Sequence, residues 1–283
     1  MPIEFYEDPV AYDVIHTPGT AAEVDGLARM AARFVGSDGG KRRRSRPEPG
    51  STKQGMVWLE PACGSGRYVR VAAGRGIRIV GFDLSEAMVA YARDSLARRG
   101  LDELGSVHVA DMTDFARIVR GGSVGFAFNM INTIRHLPSD TAMIAHLEQV
   151  RRALRRGGVY AVGLDVGEPG QESASEDVWT GQRGLLRVTQ IAQYEPPLPP
   201  QPPRVGSRSE RVVNHIVVKT PSGEQHFDSA YTLRTYTTKQ WTRLIERSGF
   251  ELVGTVDEMG DPYEMGAVGY GIWVLRKAMG SGQ

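Results

Sequence analysis

Apolar residues are distributed in two regimes along the chain. From Met56 to Asp165, short apolar runs alternate with segments whose apolar residues recur at helical spacing. The runs at 56–60, 77–82, 106–110, 124–130 and 158–165 predict strands. The intervening spacing predicts helices over 65–74, 85–99 and 139–155. Met88, Val89, Ala92 and Leu96 share one face of the second, and Met143, Leu147, Val150 and Leu154 one face of the third. Strands alternating with helices bury both faces of a sheet, so the pattern predicts an α/β fold with a doubly wound, mostly parallel sheet. Ahead of it, Val24, Leu27, Met30, Ala31 and Phe34 predict a helix over 21–35, with Thr20 as cap and Gly36 as stop.

After Asp165 the alternation ends. Leu185–Gln193, Val212–Lys219 and Gln225–Leu233 read as β runs, and Pro221–Ser222–Gly223–Glu224 as the hairpin turn between the last two. Glu195–Pro203 reads as an extended, proline-rich connector. The α/β pattern then resumes with a helix over Lys239–Ser248, capped by Thr238 and stopped by Gly249, and strands at 250–257 and 270–277. Residues 1–283 thus form a single domain with two additions. One is an N-terminal helical lid and basic loop over 1–55, the other an antiparallel β insert after strand five, 168–237, placed as a substrate lid.

Composition narrows the partners. Hydrophobic residues make up 41% and charged residues 24%, ordinary values for a globular chain. A net charge of +1 gives no support for a nucleic-acid partner held mainly through phosphates. The lone Cys63 excludes a disulfide framework. No apolar run approaches the ~20 residues of a membrane span. The acidic start, Ile3–Glu4–Phe5–Tyr6–Glu7–Asp8, lacks the layout of a secretory signal, so the expectation is a cytoplasmic protein without a membrane partner. Lys41–Arg46 is either a solvated loop or a docking patch for an anionic partner. The oligomeric state stays open, a homo-oligomer included.

The candidate chemistry lies at two strand ends. Val57–Trp58–Leu59–Glu60–Pro61–Ala62–Cys63–Gly64–Ser65–Gly66 is a buried strand running into a glycine turn, and Ile79–Val80–Gly81–Phe82–Asp83 is a strand ending in a carboxylate. In a doubly wound sheet this pairing holds a ribose-bearing ligand. NAD is disfavoured, because Val69 stands where the dinucleotide pattern Gly-X-Gly-X-X-Gly needs its third glycine.

With Glu60–Gly66 and Asp83, two further pieces stand in order: Ala110–Asp111–Met112, and Phe128–Asn129 through Asn132–Thr133–Ile134–Arg135–His136–Leu137–Pro138. Together they resemble the class I S-adenosylmethionine-dependent methyltransferases of small molecules, the last run being similar to glycine N-methyltransferase-like enzymes. The resemblance covers roughly 10–167 and 226–277 and implies a seven-stranded sheet with a reversed last strand. It implies S-adenosyl-L-methionine as cofactor. Ala62, Gly64 and Gly66 would let the backbone approach the amino acid end of the cofactor, with Glu60 and the Asn129 carbonyl facing its ammonium. Asp83 would take both ribose hydroxyls, Leu84 and Met88 would flank the adenine, and Asp111 and Met112 would read its edge. Tyr12 would face the cofactor carboxylate or pack on the core. Ala62 departs from the family, where a first glycine is frequent.

Methyl transfer from a sulfonium is an in-line displacement that asks for no metal ligand and no covalent residue. The acceptor is expected to be a small molecule, with N-methylation favoured over O-methylation. No Asn-Pro-Pro-aromatic run of the nucleic-acid base methylases is present; Phe128–Asn129–Met130–Ile131 occupies that position. His136 is the candidate base or substrate anchor, its ordinary pKa suiting proton removal near neutrality, or else a structural histidine at a turn. Arg135 would bind an acceptor carboxylate or phosphate, or lie at the surface; Asp165 would orient an amine, or cap a loop; Tyr231 would line the acceptor pocket, or pack across strands. His16 and Tyr236 belong to the same expected lid, and Trp241 and Phe250 to the core.

Overall fold

A computed structural model describes residues 8–36, 56–168, 173–196, 208–266 and 268–277. The Lys41–Arg46 loop and the proline run from Pro197 lie outside the described residues.

Two helices come first, α1 (Pro9–His16) and α2 (Thr20–Phe34). The alternating part follows: β1 (Val57–Pro61), α3 (Arg67–Gly74), β2 (Arg78–Asp83), α4 (Glu86–Ala97), β3 (Gly105–Val109), β4 (Val124–Asn129), α5 (Asp140–Ala153) and β5 (Leu154–Val166). A four-stranded antiparallel sheet is inserted next, β6 (Ser175–Arg183), β7 (Leu186–Glu195), β8 (Ser209–Thr220) and β9 (Gly223–Arg234). The chain closes with α6 (Thr238–Arg247), β10 (Phe250–Val256) and β11 (Gly269–Lys277).

The central sheet has seven strands in the order β10-β11-β5-β4-β1-β2-β3. β1 pairs in parallel with β2 and β4, and β11 runs antiparallel to both β5 and β10, so the last strand is reversed as expected. Alternate side chains of its central strands enter two separate cores. Trp58, Phe126 and Phe128 pack with α2, α3 and α4; Leu59, Ala127 and Tyr160 pack with α5 and α6. Burial on both faces is why these strands read as continuous apolar runs. Trp241 and Phe250 are core residues, as expected. Strand order reverses between β1 and β4, and the crevice outside the carboxyl ends of the strands at such a point is where doubly wound sheets bind ligands.

Several boundaries differ from the sequence expectation. The helix expected over 65–74 starts at Arg67, behind a left-handed Gly66, because the glycine turn consumes the preceding residues. Thr20 lies inside α2 and Gly19 precedes it as cap. Thr237, not Thr238, caps α6, forming a reciprocal capping box with Gln240. β5 begins at Leu154, directly after α5, since a register shift against β4 absorbs the Arg155–Gly158 segment. β6 and α1 were not legible: β6 is mostly exposed, and the eight residues of α1 carry a buried aspartate in their apolar pattern.

Candidate active site

The turn after β1 is built from left-handed residues: Ala62 at φ +53°, Gly64 at +51° and Gly66 at +72°. Gly64 has a second constraint, since a Cβ there would lie 3.1 Å from Cε1 of Tyr12. Ala62 bears a strain of ~1–2 kcal/mol in this conformation, the physical reason a glycine is frequent at that place. The Gly64 N–H donates to Oδ2 of Asp83 at 2.8 Å, and the Ser85 N–H to Oδ1 at 2.9 Å. Both oxygens are thereby oriented. Burial pushes the Asp83 carboxyl above its ordinary value, and these backbone hydrogen bonds pull it back.

Glu60, next to last in β1, and Asn129, last in β4, lie at the ends of adjacent parallel strands. Asn129 Nδ2 donates to the Pro61 carbonyl at 2.9 Å. Asn129 Oδ1 and Glu60 Oε2 are buried without a hydrogen-bond partner among the described residues. Burial drives the Glu60 carboxyl well above its ordinary value, although Arg67 works in the other direction. Two orphaned oxygens on residues that line one cavity fit a group that brings N–H donors and positive charge, which an amino acid ammonium does. The expectation that Glu60 presents a standing negative charge is refined: burial shifts the carboxyl toward its neutral form, against the opposing pull of Arg67 and Arg70.

Leu84 is exposed at the cavity rim, whereas Met88 is buried on the inner face of α4. Asp111 Oδ1 accepts from the Thr113 N–H and hydroxyl, both at 2.6 Å, so the carboxylate also shapes its own turn. His146, missed from sequence, supports that turn from α5: Nδ1 lies 2.9 Å from the Met112 carbonyl and Nε2 2.8 Å from the Tyr160 hydroxyl.

At the far end of the cavity, His136 lies with its ring centroid 5.1 Å from that of Tyr231 on β9. Burial, aided by the Arg135 charge, lowers its pKa to about 4. The reading of His136 as a base matched to neutral pH is corrected accordingly: it is neutral there and a weak base, suited to accepting a hydrogen bond. Arg135 is also corrected. It is buried, Nη2 pairs with Glu210 at 2.5 Å, and Nε donates to the Arg234 carbonyl at 2.8 Å. Its fork ties the segment after β4 to the inserted sheet instead of waiting for an acceptor anion. Asp165 is engaged reciprocally with Asn132, accepting from Nδ2 while its own N–H donates to Oδ1 at 2.8 Å. This pair holds Ile131 and Asn132 in left-handed conformations at the cavity wall.

These groups line one connected cavity of about 1320 Å³, running from the glycine turn to the inner face of the inserted sheet. A drug-sized ligand needs ~300–1,000 Å³, so the space accommodates a cofactor with an acceptor beside it.

Residues 59–158 match the family described as "Methyltransferase domain". That match spans β1 to β5, including Glu60, Asp83, Asp111 and Asn129. Residues 59–158 thus form a methyltransferase domain, in the fold of the S-adenosylmethionine-dependent methyltransferases that it resembles. It is similar to a dTDP-3-amino-3,6-dideoxy-alpha-D-glucopyranose N,N-dimethyltransferase of Streptomyces fradiae, 26% identical over 245 residues, 85% of this chain and 82% of the relative. It is also similar to a tRNA (guanine-N(7)-)-methyltransferase of Roseobacter denitrificans, 27% identical over 170 residues, 58% of this chain and 72% of the relative. In fold it matches the CcbJ methyltransferase of Streptomyces caelestis, with a TM-score of 0.66, 18% identity, and 99% and 100% of the two chains covered.

In this methyltransferase every cofactor residue expected from sequence except Gly66 lines the cavity, Tyr12 included, as do His136, Arg135, Asp165 and Tyr231. Gly66 instead caps α3. Sequence reasoning missed Arg67, buried in the cavity wall and bonded to Thr20, Glu23 and the Tyr68 hydroxyl. It also missed the inner-face residues Trp179, Gln190, Tyr194 and Glu210 of the insert. The alternating pattern of β7 and β8 marks their inner faces, but not what they face. Among the described residues no helix is long and apolar enough to cross a membrane.

Proposed function

We propose that this methyltransferase N-methylates a small polar acceptor of the amino-sugar class. The observation that carries this reading is the continuity of the cavity from the Asp83 cradle to the inner face of the insert, where Trp179, Tyr194 and Tyr231 offer aromatic surface in the same cavity as the carboxylates of Asp165 and Asp177. Aromatic faces pack on a sugar ring, and carboxylates attract a cationic amine. The similarity along most of the chain to an amino-sugar N,N-dimethyltransferase supports the same class.

S-Adenosylmethionine, when bound, supplies an electrophilic methyl group. The glycine turn would take its amino acid end, Glu60 and Asn129 its ammonium, and Asp83 its ribose. The chain's remaining task is to hold an amine lone pair on line with that methyl and to exclude water. A neutral His136 accepts a hydrogen bond from an amine N–H, which orients the lone pair without protonating it. Asp165, held by Asn132, stabilises the positive charge that the nitrogen acquires on methylation. The proton then leaves to solvent. The wall formed by α1 and the insert keeps bulk water from the reacting atoms.

The test is a panel assay with purified protein, S-adenosylmethionine, and nucleotide-linked amino sugars, simple amines, and hydroxyl analogues lacking the nitrogen. S-Adenosylhomocysteine release with the mass gain of a methyl group on an amino sugar is the expected result. Transfer only to hydroxyl analogues would replace the nitrogen by oxygen in this reading. The similarity to a tRNA methyltransferase motivates bulk tRNA as a further substrate, and turnover confined to tRNA would overturn the small-molecule reading. The near-neutral charge of the chain argues for the small molecule.

A further inference from the structure

Apolar packing divides the protein into two bodies. The large clusters on the two faces of the central sheet contain no residue of α1 or of β6–β9. Two smaller clusters draw only on α1 and the insert: Ala11, Val14 and Ile15 pack on Val188 and Ile216, and Ala192, Val212 and Leu233 pack beside them. The approach is close, since a Cβ on Gly181 of β6 would lie 2.0 Å from the Val14 carbonyl oxygen. α1 therefore belongs with the insert, although α2, which follows it directly, packs in the core.

The joint between α1 and the core is polar. Asp13 is only 2% exposed. Its Oδ1 accepts the Ser65 hydroxyl at 2.7 Å and the Arg70 guanidinium; its Oδ2 accepts the Tyr91 hydroxyl at 2.9 Å and the Arg183 guanidinium at 2.5 Å. Ser65 lies in the glycine turn, Arg70 on α3, Tyr91 on α4 and Arg183 at the end of β6. Burial alone would raise the carboxyl, but Arg70 and the hydrogen bonds from Ser65 and Arg183 hold it at about 2, so it is charged at neutral pH. Arg183 also donates to the Tyr91 hydroxyl at 2.9 Å. Tyr12, the residue before the aspartate, lies over Gly64, so movement of α1 away from the core uncovers the cofactor turn. An ionic joint between two packed bodies opens without exposing either apolar core, which a buried apolar joint cannot do.

We propose that Asp13 is a positioning residue that seats the body formed by α1 and the insert on the glycine turn, and that opening of this clasp sets how fast S-adenosylhomocysteine leaves. The kinetic part rests on the cofactor reading; the clasp does not. Arg183 is the residue to vary, being half-exposed and outside the cofactor cradle: from β6 it holds Asp13 within the α1–insert body and reaches across the joint to Tyr91 on α4. Arg183→Gln and Arg183→Lys are compared with the wild type by hydrogen exchange and by the dissociation rate of S-adenosylhomocysteine. In Arg183→Gln, exchange of the α1 amides and the dissociation rate should each rise about tenfold while β1 and β4 stay protected, and Arg183→Lys should restore most of both. Unchanged α1 exchange would overturn the clasp, as would an equal rise in β1 and β4. Faster exchange without faster dissociation would overturn its kinetic role. A wild type that binds no S-adenosylhomocysteine would overturn the cofactor reading, and the exchange measurement would still decide the clasp.

Discussion

Removing the Asp83 carboxylate tests the cofactor cradle most directly. A carboxylate has about four acceptor positions. At least two are occupied by the Gly64 and Ser85 N–H groups, at 2.8 and 2.9 Å, which leaves at most two for a ribose diol. Hydrogen bonds to a charged acceptor contribute ~1.5–3 kcal/mol each, so the pair is worth ~3–6 kcal/mol. Burial disfavours the charged carboxylate, as its raised pKa records, and the substitution relieves that cost. The lower end of the range is therefore expected. Asp83→Ala should weaken S-adenosylhomocysteine by about 3 kcal/mol, roughly a hundredfold in Kd. Asp83→Asn, which keeps one acceptor, should lose about tenfold. Titration calorimetry reads both, with a thermal melt to establish that each variant is folded. A folded Asp83→Ala that binds within about threefold of the wild type would refute the assignment.

Three other perturbations follow from the same geometry. A carboxyl raised by burial, as in Glu60, binds its proton more tightly folded than unfolded; it therefore costs stability as pH rises from the ordinary value of ~4.3 through the raised one. Glu60→Gln should flatten that decline in thermal melts of the ligand-free protein and weaken S-adenosylhomocysteine at neutral pH; an unchanged slope would count against the buried neutral form. Because the His136 pKa sits at about 4, the rate profile should carry no inflection from it between about pH 6 and 8, and His136→Ala should lower kcat/KM for an amine acceptor at least ~tenfold while leaving S-adenosylhomocysteine affinity intact. A new Cβ at Gly66 would lie 2.9 Å from the Ala92 Cβ on a left-handed backbone, so Gly66→Ala should cost about 2–3 kcal/mol and lower Tm by roughly 5–10 °C. A melt at the wild-type temperature would contradict it.

The cofactor half of the site was legible because its residues sit where the chain itself announces them. Glu60, Asp83, Asp111 and Asn129 each fall at or just after the end of an apolar run, and parallel pairing brings those ends to one edge. The acceptor half was only partly legible. Tyr231 and Asp165 were named, but Arg135 looked available, and only its pairing with Glu210, 75 residues away, reveals a tie within the protein. His136 carried its ordinary pKa until burial lowered it.

The sequence by itself determined the alternation of strands and helices, the glycine turn and the acid at the tip of the second strand. Those features depend on local periodicity and on backbone conformations that few residues adopt. The tertiary structure alone decided that α1 belongs with the insert, that Asp13 joins Ser65 to Arg183 across 170 residues from its own position, and that the insert faces the cofactor turn across one cavity. Contacts at such separation leave no periodic trace in the chain. They form when packing removes water from charged groups, and only then does the identity of a partner determine whether a residue is charged, neutral or already taken.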